Sequence, residues 1–162
     1  MEVVLDKAAC RIIATYALTV GLAYIAVGAV ELANALYTWF IAPGAEEALL
    51  PLPGIPAGDL FGGLSSLVVG AVLVRAVPLW KSRREDLAFV LGGTLLACIF
   101  GVLYLLLFAA NALSALVAGG EELAEWLASG WIADLSRPEI WLFAASIPMA
   151  MLSWRGAISS RC

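Results

Sequence analysis

The sequence has no histidine. That removes the commonest metal and haem ligand and the usual proton shuttle near neutral pH. Cysteine is scarce: Cys10, Cys98 and Cys162 form an odd count without any C-x-x-C spacing. Neither a disulfide framework nor a cysteine metal site is expected from them, and they read as small apolar or free thiols. Charged residues make up only 14% of the chain, against about a quarter in soluble domains. No nucleophile–base pair, H-E-x-x-H, Walker loop or dinucleotide fingerprint occurs. An enzyme is therefore the least expected reading, and no cofactor or metal is expected. Nothing points to nucleic acid. The basic cluster at residues 81–84 and the pair Trp154-Arg155 suit anionic lipid headgroups instead.

What is present is apolar. Of 162 residues, 63% are hydrophobic, too many for a soluble domain of this size to hide from water. A bilayer removes the difficulty by acting as an apolar solvent. Four runs approach the ~20 residues a helix needs to cross hydrocarbon. They predict spans at about residues 12–40, 60–80, 87–117 and 139–158, within a single transmembrane domain covering 1–162. The first run is longer than a typical signal core, and Glu2 and Asp6 precede it, so it reads as a retained span despite the small-residue triplet at Ala33-Asn34-Ala35.

Orientation follows from lysine and arginine. Lys7, Arg11, Lys81, Arg83, Arg84, Arg155 and Arg161 fall on one side of this map, and Arg137 alone on the other. The positive-inside rule then places both termini and the middle loop in the cytoplasm. The loops holding Glu46, Glu47 and Asp59, and Glu121, Glu122, Glu125, Asp134 and Glu139, come to lie outside. Trp39, Trp126, Trp131 and Trp141 fall near the outer boundary, Trp80 and Trp154 near the inner one, where indole rings are favoured. Arg75, a turn inside Trp80, is expected to snorkel to the inner surface.

The two halves resemble each other. Gly21-Leu22-Ala23-Tyr24 matches Gly101-Val102-Leu103-Tyr104, and Ala33-Asn34-Ala35-Leu36 matches Ala110-Asn111-Ala112-Leu113. Glu46-Glu47 answers Glu121-Glu122, Asp59-Leu60 answers Asp134-Leu135, and Pro78, Trp80 and Lys81 answer Pro148, Trp154 and Arg155. The expected fold is thus an all-α membrane protein, a four-helix bundle built as a tandem pair of hairpins with units 8–84 and 85–162. Such copies run in the same direction, as in parallel-repeat transporters.

Helices in lipid associate through close contact, which small residues allow. Gly62, Ser66 and Gly70 recur every four residues in the second span, and Gly93, Ala97 and Gly101 do so in the third. Gly21 and Gly28 share one side of the first. These stripes predict seams, either within the chain or between copies. Pro148 interrupts the fourth span, so a neighbouring helix is expected to satisfy the carbonyl it frees. Residues 42–59 carry four prolines among leucines and should lie on the outer surface of the bundle. Residues 121–131 place Leu123, Trp126, Leu127 and Trp131 at helical spacing, which predicts a short outer interfacial helix. Ser136-Arg137-Pro138-Glu139 fits a capping box opening the fourth helix.

One group of side chains could carry chemistry. Glu31 ends the first apolar run, with Asn34 at i+3 and Tyr24 and Gly28 at i−7 and i−3 on the same face. Asn111 holds the corresponding depth in the third span. Glu31, Asn34, Asn111 and Tyr24 together suggest an outward-facing polar pocket, near the outer edge of the hydrocarbon, for a cation or small polar molecule, since ionisable groups at membrane depth are functional candidates. The alternative is that Glu31 meets water or headgroups. Two functions follow. The leading one is a non-catalytic membrane subunit or assembly component, its partners being the bilayer and other subunits or further copies of itself. The other is a small-molecule or ion transporter or binding protein centred on Glu31.

Overall fold

A computed structural model describes residues 7–43, 48–51, 54–55, 58–81 and 86–159. Glu2, Asp6, Glu46, Glu47, Arg83, Arg84, Arg161 and Cys162 lie outside the described residues, so the expectations resting on them find no structural counterpart. The described chain is helical with no strand. Its elements are α1 (Lys7–Leu36), continued by a π-helical turn at Tyr37–Ile41; α2 (Leu60–Val74), followed by a 3-10 turn at Val77–Lys81; α3 (Leu87–Ala118); α4 (Gly120–Glu125), a second π turn at Trp126–Gly130 and α5 (Trp131–Leu135); and α6 (Pro138–Ser159).

Among the described residues, three helical segments are long and apolar enough to cross a membrane: Ala9–Ile41, Leu60–Trp80 and Leu87–Ala118. The fourth predicted span corresponds to α6. At 1.5 Å per residue it is about 33 Å long, but Glu139 and Pro148 sit within it. The helices pack in a ring: α1 on α2, α2 on α3, α3 on α6 and α6 back on α1, with α1–α2 the most extensive pair and α3–α6 the next.

Burial follows the helical period. On α1 the buried positions include Ile13, Ala17, Val20, Tyr24, Gly28, Glu31 and Asn34, three or four residues apart, the spacing that keeps side chains on one face. The same rule selects Val90, Gly93, Ala97, Gly101 and Tyr104 on α3. Leucines and tryptophans on the other faces are exposed, among them Leu95, Leu106, Trp39, Trp141 and Trp154, as suits helices solvated by lipid.

The glycines show how closely the pairs approach. A Cβ on Gly63 would stand 2.7 Å from the Leu32 amide nitrogen, and one on Gly70 2.7 Å from the Gly21 carbonyl oxygen. The α1–α2 seam is therefore backbone against backbone. Gly93 meets the Leu73 side chain of α2, and Gly101 meets the Phe143 ring of α6. Gly62 faces elsewhere, into the polar cluster described below. At Pro148 the carbonyl left without an intrahelical donor belongs to Ala144. The Tyr16 hydroxyl of α1 bonds the next carbonyl, that of Ala145, at 2.7 Å. Arg75 is exposed and lays its guanidinium over the Phe89 ring at 5.5 Å.

A candidate carboxyl site

The site forms where α1, α2, α3 and α6 meet, at the end of the bundle that contains Asp59. Glu31 is completely buried, and Glu139 is 3% exposed. Glu31 thus faces the bundle, not water or headgroups, because it falls on the same 3.6-period face as Tyr24 and Gly28. The two carboxyl groups lie close enough to interact directly. No side-chain donor among the described residues bonds either of them. Ionised carboxylates only accept hydrogen bonds, so a bond between two carboxyls requires that one carry the proton. Tyr24 and Tyr104 both lie close enough to Glu139 to feel its charge.

Beside this pair sits an ion-paired cluster. Asp59 caps α2, its Oδ1 accepting from the Gly62 amide at 2.7 Å. Its Oδ2 accepts from the Tyr104 hydroxyl at 2.9 Å and from Arg137 Nη1 at 3.1 Å. The Arg137 guanidinium also lies 5.5 Å from the centre of the Tyr104 ring. Asp134 approaches Arg137 Nε at 4.0 Å and accepts from Asn111 Nδ2 at 3.0 Å. A polar chain thus runs from exposed Asn111 through Asp134, Arg137 and Asp59 to Tyr104. Gly62 stands where it meets the carboxyl pair. A Cβ there would collide with Glu139 Oε1 and come within 2.7 Å of the Tyr104 hydroxyl, so the missing side chain is what admits Glu139.

The four residues singled out in the sequence take different places. Glu31 and Tyr24 lie at the buried centre. Asn34 is equally buried, but its amide is committed to the loop: Nδ2 donates to the Leu50 carbonyl at 3.1 Å, and Oδ1 accepts from the Leu50 amide at 2.9 Å. Asn111 joins only at the exposed end, where it helps line an open cleft of about 340 Å³ with Ser114, Glu122, Glu125, Trp126 and Ser129. Ser66, one turn inward from Gly62, is buried with an unbonded hydroxyl.

Glu139, Asp59, Arg137 and Tyr104 were not legible as site residues. The capping box expected at Ser136–Glu139 is absent. With Pro138 as the first residue of α6, the N-cap position falls on Arg137 and Ser136 lies one residue too early. The Ser136 hydroxyl donates instead to the Ala133 carbonyl at 3.0 Å, which frees Glu139 to turn inward. The available signal was periodicity, since Glu139 shares a buried face with Ser146, Met149 and Ser153.

The depth of the site follows from α3. Past Tyr104 the helix continues through Leu105–Ala118, a rise of about 21 Å, nearly all of it apolar. The carboxyl pair therefore lies well below the top of the apolar wall.

Comparison with curated proteins and with solved structures gives no match. A family model described as the MJ0565 integral membrane domain matches residues 7–156, and with nearly all of its length covered the chain belongs to that family of integral membrane domains.

Proposed function

We propose that the protein is a small ion or polar-solute transporter or binding protein whose centre is the Glu31–Glu139 pair. The observation carrying this reading is that two buried carboxyl groups face each other with no basic partner of their own. A non-catalytic subunit has no use for such a pair, because each ion withdrawn from water costs several kcal/mol, and ionisable side chains at membrane depth mark ion pathways and relays.

The reading includes a topology of four crossings, with α6 as the fourth, both termini cytoplasmic and the Asp59 end outside. It also includes the tandem repeat. Matched residues gather around one point: Tyr24 and Tyr104 both approach Glu139, and Asp59 and Asp134 both approach Arg137. That arrangement suits two copies related by an axis along the membrane normal.

Native mass spectrometry of gently extracted protein, together with thermal unfolding in sodium, potassium or choline chloride, tests the function. The protein should emerge alone or as a homo-oligomer. A small cation should raise the unfolding temperature of the wild type, as ligands that bind only the folded state do, but not that of Glu31→Gln. Emergence in fixed ratio with other polypeptides, without any cation-dependent shift, would establish the subunit reading instead.

A further inference from the structure

Charge balance at the carboxyl pair limits what it can hold. This step rests on the transport or binding reading above. Arg137 is paired with Asp59 at 3.1 Å and approached by Asp134 at 4.0 Å, so it has no positive charge to spare. That leaves Glu31 and Glu139, buried and, among the described residues, without a basic group bonded to either. With a single proton shared between them the pair carries one negative charge, and an uncompensated charge away from water is strongly unfavourable. Two occupancies remove it: a second proton, or one monovalent cation beside the shared proton. Both give the same total charge.

We propose that the Glu31–Glu139 site exchanges one proton for one alkali cation, so that a full cycle moves no net charge across the membrane. The cation enters as a carboxyl proton leaves, and the retained proton keeps the two carboxyls together. Oxygen atoms for the cation are at hand. The Glu139 carboxyl and the Tyr104 hydroxyl converge on Gly62, and the unbonded Ser66 hydroxyl lies one turn inward. A divalent ion fits poorly. It would displace both protons and demand six or more oxygen ligands, and among the described residues no three acidic side chains are arranged to hold a metal. At the exposed end of the polar chain, the cleft holding Glu122 and Glu125 is lined by no lysine or arginine, which gathers cations and repels anions.

The test uses the full chain in liposomes with a trapped pH-sensitive dye. Adding sodium or potassium chloride outside should raise the internal pH, while choline chloride should not. Clamping the membrane potential at zero should leave the initial rate unchanged. Glu31→Gln and Glu139→Gln should each slow the response at least tenfold while eluting as folded protein in gel filtration. If either variant fails to fold, the wild-type response to the clamp decides alone. A rate that changes with membrane potential overturns one-for-one exchange, as does proton movement driven by magnesium or calcium but by neither alkali ion. A cation that raises the unfolding temperature yet moves no protons sinks the exchange and leaves the binding reading standing. Fixed-ratio partner polypeptides without a cation-dependent shift remove both.

Discussion

The α1–α2 and α3–α6 pairs solve the same packing problem differently. In the first, Gly21, Gly28, Gly63 and Gly70 bring two backbones into direct contact. In the second, Gly101 receives the Phe143 ring, and Glu139 turns into the bundle instead of packing against carbon. A backbone seam cannot yield without separating the helices, whereas a ring in a groove can shift. The first pair is therefore the rigid frame. The second contributes Tyr104 and Glu139 to the polar site and has room to adjust. Between helices in lipid, where apolar burial supplies no driving force, such close contact is a main source of cohesion.

This contrast can be broken by substitution. Gly63→Val drives carbon into the Leu32 backbone and should cost at least the upper end of the roughly 1–3 kcal/mol typical of overpacking. Loss of the monodisperse gel-filtration peak or a collapsed unfolding temperature would show it. A mild effect would mean that the frame is not rigid. Asn34→Ala comes next. It leaves the buried side of the Leu50 amide and carbonyl without partners, at a cost of about 1–3 kcal/mol, and should speed proteolysis within residues 42–59. Gly101→Ala should cost about 1–2 kcal/mol, and adding Phe143→Leu should recover part of that, because residues in contact are not additive. No recovery would contradict the adjustable second pair. Asn111→Ala, at the position matching Asn34 in the sequence, should change thermal stability by less than about 0.5 kcal/mol, as exposed positions do.

The matched asparagines also show what could be read beforehand. Both stand in the matching Ala-Asn-Ala-Leu stretches, yet Asn34 is buried and Asn111 is exposed. α3 has 32 residues and its far end meets α4 and α5, whereas α2 has 15 and the loop before it returns to Asn34 through Leu50. The run lengths already contained that inequality. Glu31 and Tyr24 were legible as facing residues because a single helix fixes their relation. The bond between Arg137 and Asp59 spans 78 positions and has no local signature. Glu139 was obscured by a four-residue motif that matched a capping box, and one displaced N-cap decided the matter. The interfacial helix predicted at 121–131 is present as helix, but its apolar stripe is interrupted: Trp126 tilts against Phe108 with ring centres 5.9 Å apart, while Leu127 is exposed.

That interruption has a consequence for phase. The π turn at Trp126–Gly130 accommodates one more residue than an α turn would, and single π turns of this kind are often found at functional sites. Each residue advances an α-helix by roughly 100°. Closing the same residues into regular α turns would rotate everything after them by about that angle. Asp134 would then point away from both Arg137 and Asn111, and the entry to α6 would turn with it. The wide turn works as an angular buffer, and the alignment of the polar chain depends on its taking up that surplus residue.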